Sequence, residues 1–580
     1  MDVTPSGLDH SAASATAVTA EAADALENVS SFVLRIFRFR LPLGCCAPAR
    51  YHYGMLPLSL FGRLKPCFRR GSVVVRLLLG TAAVVQCGLF ASAARADDPS
   101  GIGAAASLEH TLIDVIRRVE PSVVSIARVR PNSGVGRFNA FDIDPENRQE
   151  IDRPENPDFV PNEFGAGVII TPPSGGGQRY ILTNYHVVHG GPSAKAGDSQ
   201  IYVRFADRRG YYAQILAGDP RSDLAVLAID YNALGLKPAD LKPVTLRSET
   251  SPLTKGQLVI GLGNPYAIAR DGSATASWGM ISNVSRRPAP LRQREFGMPQ
   301  ADSSIHQFGT LLQVDTRMEL GTSGGALVNF RGELIGVTTS LAALEGYERS
   351  VGFAIPIDEF TRRVIETLCR GYEVEYGFLG LTLKTMLPEQ LRRRYGANFK
   401  QASAVEVKMI VPNSPAAIAQ VRQEDLILDI EGHPLLDQFD LMRYVALYGP
   451  DTTVRMRIWR PGEASELTLA AKLGKWPVSE EDAIIATARR YPPWRGLIVD
   501  YPTGRYKYVG WPFQFRDAVV VASVASRSPA QAAGLAEGDF IYSVNGVPVR
   551  TPGEFQEAVR GADGPVTLEL GDHRKVTVQR

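Results

Sequence analysis

Two distant stretches of the chain repeat one another at fixed internal spacings. Ser414-Pro415 precedes Asp425-Leu-Ile-Leu and Gly432-His-Pro434, and Ser528-Pro529 precedes Asp539-Phe-Ile-Tyr and Gly546-Val-Pro548. A repeat this long marks two copies of one domain, since solenoid repeats recur at about 20–50 residues. Each copy reads as a β-run (405–411; 518–524), a helix opened by Ser-Pro, a strand, a turn and a second helix (439–447; 553–559). Residues 375–474 and 495–580 are therefore expected to be two α+β units. Residues 475–494, charged and holding Trp476-Pro477 and Tyr491-Pro-Pro493, read as their linker. A chain of 580 residues is too long for one core, so a further domain is expected ahead of them.

That domain reads as β. Leu108 to Val119 has apolar residues at helical spacing and stops before Pro121. Short strands separated by turns follow: 122–129, 167–171, 180–183, 201–205, 212–217, 224–229, 258–261, 279–284, 311–314, 326–328, 333–338 and 352–355. The count fits two β-barrels over 105–370.

Within it, Gly321-Thr-Ser-Gly-Gly325 places a serine between glycines, in a tight loop joining two strands. Glycine lets the backbone bend sharply and a substrate carbonyl approach the main chain. The amides of Gly321, Thr322 and Ser323 are then candidates for an oxyanion hole. A serine hydroxyl needs an imidazole to take its proton, and the imidazole needs a carboxylate on its other nitrogen. His186, after the strand ending at Thr183, and Asp223, in Asp219-Pro-Arg-Ser-Asp223, stand in the chain order His, Asp, Ser that suits a double barrel. The plainer alternatives are a surface Gly/Ser turn, a core histidine and a turn or cap aspartate. His186 and His189 make a His-x-x-His pair with no third ligand, so no metal and no cofactor is expected.

The net charge of +2 gives no basis for nucleic-acid binding. Of five cysteines, four lie in the first ninety residues and only Cys369 beyond, which excludes an internal disulfide framework for the body. Residues 1–96 read as an N-terminal extension. Within it Arg63, Lys65, Arg69 and Arg70 precede an apolar run, Val73 to Ala94, that ends in Ala94-Arg95-Ala96. This is the pattern of a secretory leader, with an uncleaved membrane anchor as the alternative. Both put the body outside the cytoplasm.

Thr183-Asn-Tyr-His186-Val-Val, Asp219-Pro-Arg-Ser-Asp223-Leu-Ala-Val-Leu and Gly321-Thr-Ser-Gly-Gly325 resemble, in order, the three catalytic motifs of the HtrA/Deg family of trypsin-like serine endoproteases. Val351-Gly-Phe-Ala-Ile-Pro356 resembles its closing strand, and the repeated units resemble PDZ domains in their bacterial, permuted form. The resemblance implies a mainly β chain, with a chymotrypsin-like double β-barrel followed by two α+β PDZ domains. It implies a His186-Asp223-Ser323 triad and ATP-independent cleavage of unfolded or damaged envelope proteins, as a periplasmic or secreted homotrimer or a multiple of it. It also implies carboxylate-binding loops at Tyr376-Gly377-Phe378-Leu379-Gly380-Leu381 and at Arg495-Gly496-Leu497-Ile498, which take C-terminal peptides by strand addition. Thr322 and Ala326 stand where the family has Asn and Pro. Arg317 stands at the floor of the implied specificity pocket, where a guanidinium favours an acidic side chain unless it pairs with Glu319 or faces solvent. Gln420 and Glu424 replace glycines in the first repeat, which leaves open a purely structural first copy. Two further readings stay open: a scaffold or chaperone that cuts weakly, and an anchored regulatory protease with one target.

Overall fold

The computed structural model describes residues 101–580 apart from 130–153, 155, 157–160, 162, 191–198, 249–250, 265–271, 288–307, 340–350, 397–400, 464, 479–480, 510–514 and 572–573. The expected leader, Val73 to Ala94, lies outside the described residues. The described part belongs to one compact unit and is mainly β.

Helix α1 (Ile102–Val119) begins six residues earlier than its apolar spacing indicates and buries Val115 and Val119. Pro121 ends it in a turn that leads into β1 (Val123–Val129). The first barrel continues with β2 (Glu163–Ile170), β3 (Tyr180–Asn184), helical turn α2 (Tyr185–His189), β4 (Gln200–Phe205), β5 (Gly210–Ala213), β6 (Ile215–Asp219) and β7 (Leu224–Ala228). The expected strand 212–217 is thus two strands. Its sheet runs β6-β7-β3-β2-β1-β4-β5, and a short strand from far along the chain adds to the outer edge of β6. Both faces of β2, β3 and β7 are buried, one inside the barrel around Val124, Ile169 and Leu227, the other against the second barrel.

The second barrel comprises β8 (Thr245–Leu246), β9 (Leu258–Gly263), β10 (Thr275–Arg286), β11 (Leu311–Val314), β12 (Ala326–Asn329), β13 (Glu333–Thr339) and β14 (Gly352–Pro356). It closes through pairing of β12 with both β9 and β13. Helix α3 (Glu359–Cys369), capped by the Asp358 side chain, packs Phe360, Val364, Ile365 and Leu368 into the core between the barrels.

The first repeat unit follows: β15 (Gly377–Phe378), β16 (Leu381–Met386), β17 (Ala404–Ile410), β18 (Leu426–Ile430), β19 (His433–Pro434), α4 (Gln438–Tyr448), β20 (Thr453–Trp459), β21 (Leu467–Lys472) and β22 (Gly474–Lys475). The short strand on β6 is β23 (Ile485–Ala486), part of the expected linker. The second unit has β24 (Leu497–Asp500), β25 (Val519–Val524), β26 (Phe540–Val544), β27 (Val547–Pro548), α5 (Pro552–Val559), β28 (Val566–Leu570) and β29 (Lys575–Val578). The sheets run β16-β17-β18-β20-β21 and β24-β25-β26-β28-β29, so each copy repeats the other's order. Ser414 and Ser528 each cap a short helix that starts with the following proline.

Candidate active site and peptide groove

Asp223 occupies the turn between β6 and β7 with φ +55°, a left-handed backbone uncommon outside glycine. It is held there through its carbonyl, which accepts the Tyr185 amide and the Asn184 side-chain amide, both at 3.0 Å. Its carboxylate is fully buried and faces the start of α2. Oδ1 accepts the His186 amide at 3.1 Å, and His186 Nδ1 lies 2.9 Å from each carboxylate oxygen. Thr339 Oγ1 stands 3.5 Å from Oδ2. A buried carboxylate needs such partners, and they fix which ring nitrogen meets it. The opposite nitrogen, Nε2, is left as the one that can take a hydroxyl proton.

His186 sits on a helical turn rather than on the end of a strand. His189, one turn on, stacks against Tyr185 at 4.8 Å between ring centroids. Burial lowers the pKa of His189, and Arg128 adds to that effect.

Ser323 lies in the loop between β11 and β12, 3% exposed. Gly321 has φ +94°, and a Cβ there would stand 2.3 Å from the Asn264 carbonyl and 2.6 Å from the Phe164 ring. At Gly324, φ +83°, a Cβ would meet the Ala166 carbonyl at 2.1 Å. Both positions therefore require glycine. The Ser323 carbonyl accepts the Ala166 amide of β2 at 2.8 Å, and the Gly324 amide donates to the Thr338 carbonyl at 2.9 Å. The serine is thereby anchored to both barrels. The Thr322 amide donates to the Glu319 carbonyl at 3.0 Å, and its hydroxyl donates to the same oxygen at 2.7 Å. Of the three amides expected to serve an oxyanion, those of Gly321, Thr322 and Ser323, the Thr322 amide is thus engaged within the loop.

A cavity of about 210 Å³ lies under this loop, lined by β9, β10, Arg317, Met318, Glu319, Thr322 and Thr338. His186 and Ser323 are not among its lining residues. Arg317 is exposed, and among the described residues it forms no ion pair, with Glu319 or any other carboxylate. Because Glu319 lines the same cavity, the lining carries both signs of charge.

A family model described as a trypsin-like peptidase domain matches residues 165–337, and one described as a PDZ domain matches 520–570. A probable periplasmic serine endoprotease, DegP-like, of Chlamydia trachomatis is 30% identical over 74% of this chain and 76% of its own length. The chain belongs to the HtrA/Deg family of serine endoproteases. The periplasmic pH-dependent serine endoprotease DegQ of Escherichia coli is 26% identical over 79% of this chain and 89% of its own. Among solved structures, an HtrA-type protease AlgW with a decapeptide aligns with 63% of this chain and 99% of its own at 26% identity and a TM-score of 0.42.

In this HtrA/Deg chain the first PDZ unit carries a groove of about 270 Å³ between β16 and α4. Phe378, Leu379, Gly380 and Leu381 line it, opposite Leu441, Met442 and Val445. Gly377 lies behind it, paired with Lys475, where a Cβ would strike the Val445 carbonyl at 2.2 Å. Trp476 also lines the groove, and sequence reasoning missed it: only the pairing of β15 with β22 brings it there. Gln420 and Glu424 take up left-handed backbone at φ +63° and +71°. Arg460 holds the Gln420 carbonyl at 2.9 Å and Arg394 pairs with Glu424 at 3.0 Å, so the groove survives the loss of those glycines.

In the second unit Gly496 matches Gly380, each with positive φ and its bare Cα against a capping serine, Ser528 or Ser414. Leu497 and Ile498 lie on β24 at the sheet edge. There Trp494 packs edge-on against Phe555 of α5 at 5.9 Å, and the Arg495 guanidinium lies 4.7 Å from the Trp494 ring. Arg495 also donates to the carbonyls of Val578, Ala562 and Gly564.

Proposed function

We propose that Ser323, His186 and Asp223 carry the peptidase chemistry of this serine endopeptidase. Ser323 attacks the scissile carbonyl while its hydroxyl proton passes to His186 Nε2. His186 returns that proton to the leaving amine, and water then releases the acyl group by the same exchange. Asp223 fixes the tautomer of His186 and stabilises the imidazolium. The Gly321 and Ser323 amides receive the oxyanion, a role a main-chain donor fills with threonine at 322. The observation that carries this reading is His186 Nδ1 at 2.9 Å from both oxygens of a fully buried carboxylate.

The substrates are unfolded or damaged proteins of the cell envelope, where the periplasmic relatives act. The first PDZ groove takes an extended C-terminus, which adds a strand to β16 and sets an apolar terminal side chain among Phe378, Leu441 and Trp476. The assembly is a homotrimer or a multiple of it. The test is covalent labelling by a fluorophosphonate: Ser323 in the wild type takes the label and Ser323→Ala does not. Size measurement of the mature protein, with sequencing of its N-terminus, checks the assembly and whether Val73 to Ala94 is removed.

A further inference from the structure

Residues 483–488, between the two PDZ units, are built into the first barrel. Ile485 and Ala486 pair antiparallel with Gly218 and Ala217 of β6. Thr487 donates its amide at 3.3 Å and its hydroxyl at 2.8 Å to the Leu216 carbonyl, and the Ala488 amide reaches the Gly371 carbonyl at 2.9 Å. At the upstream end the Ala483 carbonyl accepts the Tyr185 hydroxyl at 2.6 Å.

The two anchor points stand next to the chemistry. Tyr185 immediately precedes His186, and its amide is bonded to the Asp223 carbonyl. Strand β6 ends at Asp219, which opens the turn carrying Asp223: Asp219 Oδ2 accepts the Ser222 amide at 2.9 Å. The segment therefore covers the free edge of the strand that sets one member of the site, and bonds the side chain beside another. It does so lightly. Ala486 and Thr487 are exposed, the paired strand is two residues long, and its attachment rests mainly on backbone hydrogen bonds. Such elements open at much lower free energy than a core strand.

We infer that residues 483–488 are a cis latch that positions Asp223 and His186, so that the chain between the PDZ units takes part in organising the protease. The inference rests on the catalytic assignment above. Docked, the segment completes the sheet beyond β6 and holds the turn at Asp223; released, it leaves an unpaired edge and a loosened turn. Tyr185 and Thr487 are positioning residues and touch no substrate.

The test uses the full chain. Thr487→Pro removes both the donor amide and the hydroxyl, Thr487→Ser keeps both, and Tyr185→Phe removes one hydroxyl while retaining the ring. With an unfolded casein substrate, kcat is expected to fall at least about ten-fold in Thr487→Pro, towards the roughly 10²-fold cost of a 1 Å misplacement, with KM unchanged. Tyr185→Phe falls by less, and Thr487→Ser restores wild-type turnover. Deuterium uptake over 183–190 and 216–226 rises in Thr487→Pro, while uptake over 326–339 stays as in wild type. Unchanged kcat and unchanged uptake in Thr487→Pro overturn the latch. So does a rise in uptake spread equally over both barrels, which is general destabilisation. A wild-type chain that cuts no substrate contradicts the catalytic assignment, and the uptake experiment then still decides whether the segment holds the turn.

Discussion

Asp223 is the residue whose position most depends on others. Its backbone is in the left-handed region, its carbonyl takes two donors, and its carboxylate takes the His186 amide and ring. Asp223→Asn keeps the shape but presents a donor where an acceptor is needed, so the ring loses its tautomer. Turnover of a peptide substrate is expected to fall about 10⁴-fold, with little change in KM. Gly321→Ala places a methyl group against the Asn264 carbonyl and the Phe164 ring, which the loop relieves only by moving the oxyanion donors. Fluorophosphonate labelling should slow about 10²-fold, and the melting temperature should fall with it, because neither the left-handed backbone nor the Asn264 carbonyl leaves room for the methyl group. At Arg317 the expectation differs. Its guanidinium is exposed and shares its cavity with Glu319, so Arg317→Ala should leave the mapped distribution of P1 residues unchanged.

Among the elements, the first PDZ groove is the most open to test. Met442→Asp, at a half-buried position lining the groove, puts a carboxylate beside Phe378, Val445 and Trp476, where an apolar terminal side chain would lie, without entering the core around Leu441. Fluorescence anisotropy should show a labelled apolar C-terminal peptide binding at least about ten-fold more weakly, the loss expected for a charge facing an apolar anchor. Ser323 labelling without peptide should stay as in wild type. The barrel strands were legible because both-face burial leaves continuous apolar runs bounded by glycine and proline, as at Val168 to Ile170. Helix α3 carries equally plain signals in the sequence, the Asp358 cap and the spacing of Phe360, Val364 and Leu368. β23 could not be read from sequence. Two residues give no periodicity, and their partner strand lies far back in the chain. The same holds for the engagement of the Thr322 amide, which depends on how the loop bends rather than on which residues compose it.

Across the whole described unit, one buried cation joins the parts. Lys475, 2% exposed, lies 3.1 Å from Glu373, 3.2 Å from Glu375 and 3.1 Å from Asp500. Arg505 adds a 2.8 Å contact to Glu373. The protease end, the first PDZ unit and the second thus share one ion network. Burial pushes the Glu373 carboxyl up, but Lys475 and Arg505 outweigh it and hold it down to about 2, against 4.5 for the free side chain. A folded-state value below the unfolded one gives stabilisation that is complete above about pH 4.5 and is lost as the pH falls towards 2. Small-angle scattering through that window should show the second PDZ unit separating while circular dichroism of the barrels persists. Lys475→Met leaves the carboxylates buried beside one another, and breaking such a network from one side costs about 3–5 kcal/mol. The separation should then begin at higher pH and lower temperature. A hydroxyl-to-carboxylate contact runs beside this network: Tyr376 donates to Asp219 at 2.6 Å, with Arg221 bonded to Asp219 at 3.0 Å and to the Val374 carbonyl at 2.7 Å. Burial raises the Tyr376 pKa well above its usual range, and the Asp219 charge adds to it, so the phenol remains a donor throughout.

Ser323, activated by His186 and Asp223, is proposed to cut unfolded polypeptide. The most direct test is digestion of an unfolded casein-type substrate by the chain from Asp97 onward, beside Ser323→Ala, with cleavage sites mapped by mass spectrometry. Cutting by the wild type is expected to vanish in Ser323→Ala. Equal cutting by both would place the nucleophile elsewhere; no cutting by the wild type, even with apolar C-terminal peptide in the first PDZ groove, would contradict a proteolytic role for Ser323.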